Sequence, residues 1–495
     1  MLARGEGIKR NIVLPAALKS KLIIILLLIS ILPQQLSTAD TQTPIKHLII
    51  IMQENHSFDN YFGTYPTANN TINDPIVAQL QPVNGIPEGV CVPHGNLCIS
   101  PYYANASNTV SPYEGQLIYQ EDVNKGNMDG FAMYSGPQSM AYFDYHQIAA
   151  YWDYAEEYAI GDNYFATYLA PTAPNRLSLL SGDSVVSGDY GPPPYVNYSS
   201  TIFNQLTDAG INWGYFEYIS IFGKASKVYP LNYISGFSET QLQNIQNLSS
   251  LTYYLKTGHG LPEVSFVSSI GTRALDEHPP YNITEGELFV VSIVNALMKS
   301  DYWNSSAIFL TWDEGGGYYD HVAPPQTMIT EHNFDFPLIS FGQRVPFIVI
   351  SPYAKENYVS ETLLSHLSIV HFIEYNWNLR PLNSAVAQSF LPLDFFYFQG
   401  KPRPPIILGQ NGSYSFYTYP IPLQIPLNQL PYSRSGSLIT SPNRYLFPDL
   451  TIGVVALVIA ATVYFLFIKI SGKRRKLRLR LNRIRLFVFL PSKKY

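Results

Sequence analysis

Cysteine is nearly absent from this 495-residue chain. Its two cysteines, Cys91 and Cys98, sit close together in "CVPHGNLC". Two thiols exclude a disulfide-dense scaffold, and one histidine between them is too few ligands for a metal knuckle, so a small loop disulfide is expected. Charge is also scarce, at 14% of residues, whereas apolar residues make up 46% and suffice for a large core. There is no internal repeat, which excludes a solenoid or propeller built by stacking copies of one unit.

What charge there is lies unevenly. Five basic residues, Arg4 to Lys21, precede the apolar run Leu22 to Leu32 and the small residues Ser37-Thr38-Ala39. That order describes a signal peptide over 1–39, the apolar run being too short to span comfortably. Leu450 to Ile468 is nineteen residues without a charge, followed by a tail, 469–495, with eleven Lys or Arg and no acid. The span is long enough to cross most of a bilayer. The positive-inside rule then leaves the tail in the cytoplasm and 40–449 outside, as a single-pass protein of the cell membrane anchored in lipid at its C-terminus. A basic run abutting an apolar span reads as a topology anchor, so no nucleic-acid partner is expected.

The outer part holds fifteen basic residues against 35 acidic ones, a net charge near −20, and would repel itself less in acid. Its Asn-x-Ser/Thr sites (Asn69, Asn105, Asn197, Asn247, Asn282, Asn304, Asn411) suit an exported glycoprotein surface.

Within 40–400, short apolar runs recur, each followed by polar residues or glycine: 47–52, 211–219, 263–270, 307–312 and 345–351. Stretches with helical spacing lie among them, at 201–210, 286–300 and 361–379. The alternation predicts an α/β domain with a mainly parallel β-sheet covered by helices on both faces. From 401 to 449 prolines interrupt every period, as in a stalk or packed extension.

Chemistry gathers at two strand ends. "HLIIIM" runs into Glu54-Asn55, and "AIFLTW" runs into Asp313-Glu314 and then "GGGYYDH". If the two strands are parallel neighbours, three carboxylates and an amide oxygen converge, because ligands bind beyond the carboxyl ends of such strands. Crowded carboxylates repel, and a hard divalent cation such as Ca²⁺, Mg²⁺ or Mn²⁺ would resolve the repulsion. Taken singly, "DEGGG" is an ordinary solvated turn and "EN" an ordinary cap.

"YLAPTAPNRLSLLSG" (168–182) starts a helix near Thr172. That residue is either a plain cap or a hydroxyl nucleophile held over an anion site, with Asn175 and Arg176 supplying phosphate donors or fixing the turn. His278 and His321 follow strands at the same expected edge, where either could steady a phosphoryl oxygen or protonate a leaving group.

These pieces, "MQENHSFDNYFG", "NKGNMDGF", "APTAPNR", "DEHPP" and "TWDEGGGYYDHVAPP", occur in an order that resembles the phosphoesterase family of bacterial phospholipases C and related acid phosphatases. That family lies within the alkaline-phosphatase superfamily, and the likeness runs from about Ile45 to Phe395. It implies metal-dependent hydrolysis of phosphoric esters, either small molecules or phospholipid head groups. Thr172 would be the nucleophile, passing through a phospho-enzyme, and Glu54, Asn55, Asp313 and Glu314 would hold the metal. Sulfatases share the superfamily but need Cys or Ser at the nucleophile, which Thr172 is not. One departure stands out: Glu114 to Val123 lacks the histidine that the family often carries there, with His146 a possible replacement. That gap leaves room for an alternative, a cell-surface or envelope protein that binds without turning substrate over.

Overall fold

The computed structural model describes residues 40–66, 80–186, 188–189, 196–218, 228–270, 275–325 and 341–409. The expected signal peptide, membrane span, basic tail and most of the stalk lie outside these residues. No helix among the described residues is long and apolar enough to cross a membrane.

Eight strands form one sheet: β1 (His47–Gln53), β2 (Ala159–Gly161), β3 (Trp213–Glu217), β4 (Ile245–Asn247), β5 (Val264–Ser268), β6 (Ser306–Trp312), β7 (Phe347–Ile350) and β8 (Tyr358–Ser360). Their spatial order is β4-β3-β5-β1-β6-β7-β2-β8. β1 is central and parallel to both neighbours, β5 and β6. Every β1 residue after His47 is buried, which is why it reads as an unbroken apolar run instead of an alternating one.

The sheet is mixed. β7 pairs antiparallel with β6 and with β2. A parallel return needs a crossover to the far end of the sheet. Here Thr311 at the end of β6 is paired with Phe347 at the start of β7, so the chain re-enters at the edge it has just left. The apolar composition of 345–351 marks burial and carries no sign of direction. β2, β4 and β8, three residues each, were not anticipated, being too short to show a period.

The helices that frame the site are α1 (Phe58–Phe62), α2 (Gln116–Val123), α3 (Phe131–Tyr134), α4 (Tyr145–Glu157), α5 (Thr172–Ser181), α6 (Ile202–Asp208), α7 (Leu248–Thr257), α8 (Ile283–Met298) and α9 (His366–Asn376). Both faces of the sheet are covered, as strand alternation requires. Phe309 of β6 packs against Phe372 of α9 with the rings tilted, while Ile50 and Met52 share a small cavity with Leu179 and Leu180 of α5. Trp312, three residues on and therefore on the opposite face, meets Tyr151 of α4 edge-on at 5.2 Å. Cys91 and Cys98 form the expected disulfide, with Cα atoms 5.5 Å apart. Asn55 heads a formal sequon but is buried, whereas Asn105, Asn197, Asn282 and Asn304 are exposed.

Several acids are buried away from the strand ends. Burial, reinforced by Glu156 and Glu157, raises the Asp153 pKa to about 8. Burial likewise raises Asp122 to about 8 against the opposing hydrogen bond from Ser135, and raises Glu156 to about 7. These folded-state values lie above the unfolded ones, so between them the native state holds protons that the unfolded chain has released. Stability is present in acid and is lost as pH rises through that window. Thermal unfolding is expected to show a lower midpoint at about pH 8 than at about pH 5. Asp153→Asn should raise the midpoint at the higher pH and flatten the slope, and a midpoint highest at the alkaline end would contradict this account.

Candidate active site

The pairing of β1 with β6 sets Gln53 opposite Trp312, so the next residues out are Glu54 beside Asp313 and Asn55 beside Glu314. The four expected ligands therefore meet at one sheet edge. All are buried. The backbone N–H of Asn55 donates to Asp313 Oδ1 at 3.3 Å, joining the two strand ends directly. Asn55 sits at φ 66°, a left-handed conformation that Asn tolerates better than most residues.

The glycine run makes room for this. A Cβ on Gly316 (φ +62) would lie 2.3 Å from the Asn55 carbonyl oxygen, and one on Gly317 (φ +71) would lie 2.7 Å from that of Tyr113. Glu314 is fixed at both oxygens: the Tyr119 hydroxyl donates to Oε1 at 2.9 Å and the Gly316 N–H to Oε2 at 2.6 Å.

Beneath the carboxylates lies Arg176, one turn into α5. Its Nε donates to Asp313 Oδ2 at 2.9 Å and its Nη2 reaches Glu54 Oε1 at 3.5 Å and the Gln53 carbonyl at 3.1 Å. Asn175 spends its amide on its own loop, accepting from Tyr168 N–H at 2.8 Å and donating to the Ala170 carbonyl at 2.8 Å. Of the two roles open to this pair, fixing the turn describes Asn175. The donors of Arg176 are directed at the strand ends, not at free space for a phosphate.

Thr172 is the first residue of α5, after Pro171 as N-cap, and is buried. The neighbouring Ala173 N–H donates to Asp189 Oδ1 at 2.7 Å, so this helix end already takes an anionic oxygen. Burial raises the Asp189 pKa, and the charges of Asp313 and Glu114 add to the rise, which places this end of the helix by the cluster.

The two histidines part company. His278 lies by the cluster, with Nε2 3.6 Å from Glu114 Oε2 and Nδ1 2.7 Å from the Pro279 carbonyl. Burial works against its charge, but Glu114 and Glu54 prevail and raise its pKa to about 11. His321 belongs to a second cluster. Its Nδ1 is 2.7 Å from Asp59 and its Nε2 3.1 Å from Asn84 Oδ1. At the centre of that cluster the buried Arg344 donates to Asp59 at 2.9 Å, Asp162 at 2.8 Å and Asp320 at 3.2 Å. Asp59, Asp320 and His321 lie close enough together to hold an ion. The guanidinium already supplies positive charge there.

Glu114 went unread in the sequence. It stands in the stretch where a histidine was missing, and it accepts from Asn55 Nδ2 at 3.0 Å while pairing with His278. The available signal was isolation: from Pro101 to Gln120 it is the one charged residue. His366 was missed as well. Its Nε2 donates to the Asp313 carbonyl at 2.8 Å and its Nδ1 accepts from Tyr164, a neutral ring whose burial lowers its pKa to about 4. His146 is bound to Asp144 at the start of α4.

The residues fit a divalent cation. Glu54, Asp313, Glu314 and Glu114, with Asp189 nearby, share two built-in cations, Arg176 and His278, so acids outnumber the groups that can pair them. Burial, then the neighbouring acids, pushes Glu54 and Glu314 well above the ordinary carboxylate range. Asn55 Oδ1 is buried and accepts no hydrogen bond, while Glu114 holds the other end of the amide. An orphaned carbonyl among unbalanced carboxylates is a hard-ion donor set.

A mixed sheet with an acid-lined edge, a helix start and a buried arginine thus come together in one α/β domain. The chain belongs to the Phosphoesterase family, whose model matches residues 45–380. It is 28% identical to a non-hemolytic phospholipase C of Burkholderia pseudomallei, over 68% of this chain and 55% of the relative. It is 26% identical to a hemolytic phospholipase C of Pseudomonas aeruginosa, over 72% and 56%, and to phospholipase C B of Mycobacterium tuberculosis, over 73% and 79%. The chain thus spans little more than half the length of the first two. Among solved structures, a Vibrio parahaemolyticus protein of the alkaline phosphatase superfamily aligns over 73% of this chain and 76% of its own, at 9% identity and TM-score 0.34.

A ligand that binds only the folded state raises its melting point, by about 2.7 kcal/mol of stability at a hundredfold excess over Kd. Calcium, manganese or magnesium is therefore expected to raise the unfolding midpoint of the wild type. Asn55→Gly keeps the left-handed backbone but removes the orphaned oxygen, and should abolish most of that rise. Equal shifts in both proteins would place the ion elsewhere.

Proposed function

We propose that the chain hydrolyses phosphoric esters with Thr172 as nucleophile, aided by a divalent cation at Glu54, Asn55, Asp313 and Glu314. The observation that carries the reading is the meeting of both strand ends by the helix that begins at Thr172, with more acids there than cations to pair them. A cation held there would lower the pKa of the Thr172 hydroxyl and offset charge on the phosphoryl oxygens.

The chain's own residues do the remainder. The N-terminus of α5 presents backbone N–H groups to an anion, and Asp189 must give up the Ala173 N–H for a phosphoryl oxygen to take it. Thr172 Oγ1 releases its proton to solvent and attacks phosphorus, and the bond from phosphorus to the ester oxygen breaks. His278, kept protonated by Glu114, supplies positive charge and a proton to that oxygen. Water then attacks the phospho-threonine, releasing phosphate or a phosphomonoester and restoring the hydroxyl. Arg176 keeps Asp313 and Glu54 in place throughout. The relatives' names favour phospholipid head groups as substrates over small phosphomonoesters.

The test is hydrolysis of nitrophenyl phosphate and of nitrophenyl phosphorylcholine by the purified protein, with and without chelator. Activity is expected to vanish with chelator and to return with metal. Thr172→Ala should lower kcat by about a thousandfold or more with the unfolding midpoint unchanged. Thr172→Ser should keep part of it. A Thr172→Ala variant as active as the wild type would end the nucleophile assignment. A wild type that binds metal and phosphate without turnover would leave a binding protein on the same fold.

A further inference from the structure

The segment that delivers Glu114 also forms the lip of the site, and its outward side chains are apolar. Val110 is 72% exposed, Tyr113 65% and Leu117 55%. Beside them Met133 and Tyr134 of α3 are 47% and 46% exposed. The two stretches are tied together: Tyr113 N–H donates to the Ser135 carbonyl at 2.9 Å, Ser135 Oγ to the Tyr113 carbonyl at 2.9 Å, and Gln138 Nε2 to the Ser111 carbonyl at 3.2 Å. Both press on the glycine run, since a Cβ on Gly317 would touch Tyr113, Ser135 and Pro112. Five large apolar side chains are thus carried on one brace at the mouth. Isolated exposed apolar residues need no explanation, but a grouped set beside a site does.

We propose that this lip rests in the surface of a zwitterionic phospholipid bilayer, which makes a phospholipid still in its membrane the substrate of the site below. The inference rests on the phosphoric-ester reading above. Continuity with the site selects the occupant: the loop that carries Tyr113 and Leu117 also delivers Glu114 to Asn55 and His278. Tyrosine suits the boundary between head groups and chains.

Charge selects the kind of membrane. No Lys or Arg occurs from Pro101 to Asn124, and the one charge between Pro101 and Gln120, Glu114, is turned inward to Asn55 and His278. Anionic surfaces recruit clustered basic residues. This lip has none, so the surface it fits carries no net charge.

The experiment uses the full chain in phosphatidylcholine nanodiscs. With the native cysteines paired in a disulfide, Leu117→Cys places a single fluorophore on the lip. Tyr253→Cys, on α7 and 62% exposed, serves as the control. Brominated phosphatidylcholine is expected to quench the label at 117 and not at 253, and less so when phosphatidylglycerol replaces half of the lipid. No quenching at 117, equal quenching at both sites, or stronger quenching in the anionic lipid overturns the proposal.

In mixed micelles, Tyr113→Ser with Leu117→Ser should raise the apparent KM for phosphatidylcholine about tenfold. The same pair should leave kcat/KM for soluble nitrophenyl phosphorylcholine within about twofold. Equal losses on both substrates would mean a damaged site and no lipid role for the lip. If neither protein hydrolyses either substrate, the hydrolase reading fails, and the quenching alone decides the lip.

Discussion

The bond from Arg176 to Asp313 is the contact on which the site depends. It crosses from the helix that begins at Thr172 to the end of β6, and the same guanidinium reaches Glu54 and the Gln53 carbonyl at the end of β1. Thr172 and the acids come from remote parts of the chain, and this buried ion pair ties the helix of the one to the strand ends of the other. Breaking a buried pair costs about 3–5 kcal/mol because one charge is left uncompensated. The arrangement is therefore retained even though an apolar replacement could pack the same space.

The pair does not balance the site. One guanidinium among several acids leaves an excess that the neighbouring His278 reduces but does not remove, and buried like charges cannot persist uncompensated. A hydrophobic core would avoid the problem by excluding the acids. This chain instead sets them together at the carboxyl ends of two neighbouring strands. The second cluster handles the same problem differently. Arg344 meets Asp59, Asp162 and Asp320 with well-directed donors, so charge there is largely settled within the protein. One cluster meets its acids with a single well-placed guanidinium, and the other has more acids than donors.

What could be read in the sequence follows from how far each signal is local. β1 and β6 declared themselves by continuous apolar composition, and α6, α8 and α9 by helical spacing. The convergence of Glu54, Asn55, Asp313 and Glu314 followed once the two strands were taken as parallel neighbours. Direction was not readable for β7, because burial on both faces erases alternation whichever way a strand runs. Glu114 and His366 were invisible for a related reason. Each acts through a partner distant in sequence, Glu114 on Asn55 and His278, His366 on the Asp313 carbonyl. His321 was assigned because it follows a strand at the expected edge, whereas the fold turns it toward Asp59.

β1 is made well before its two partners, β5 and β6, which follow roughly 210 to 260 residues later. Long-range parallel pairing is slow and leaves apolar backbone exposed while it waits. The centre of the sheet therefore waits on distant residues during synthesis. Until Ser268 has emerged, a nascent molecule carries a greasy strand with no neighbour, one side of it stays open until Trp312 follows, and its early life depends on whatever shields that strand from other chains.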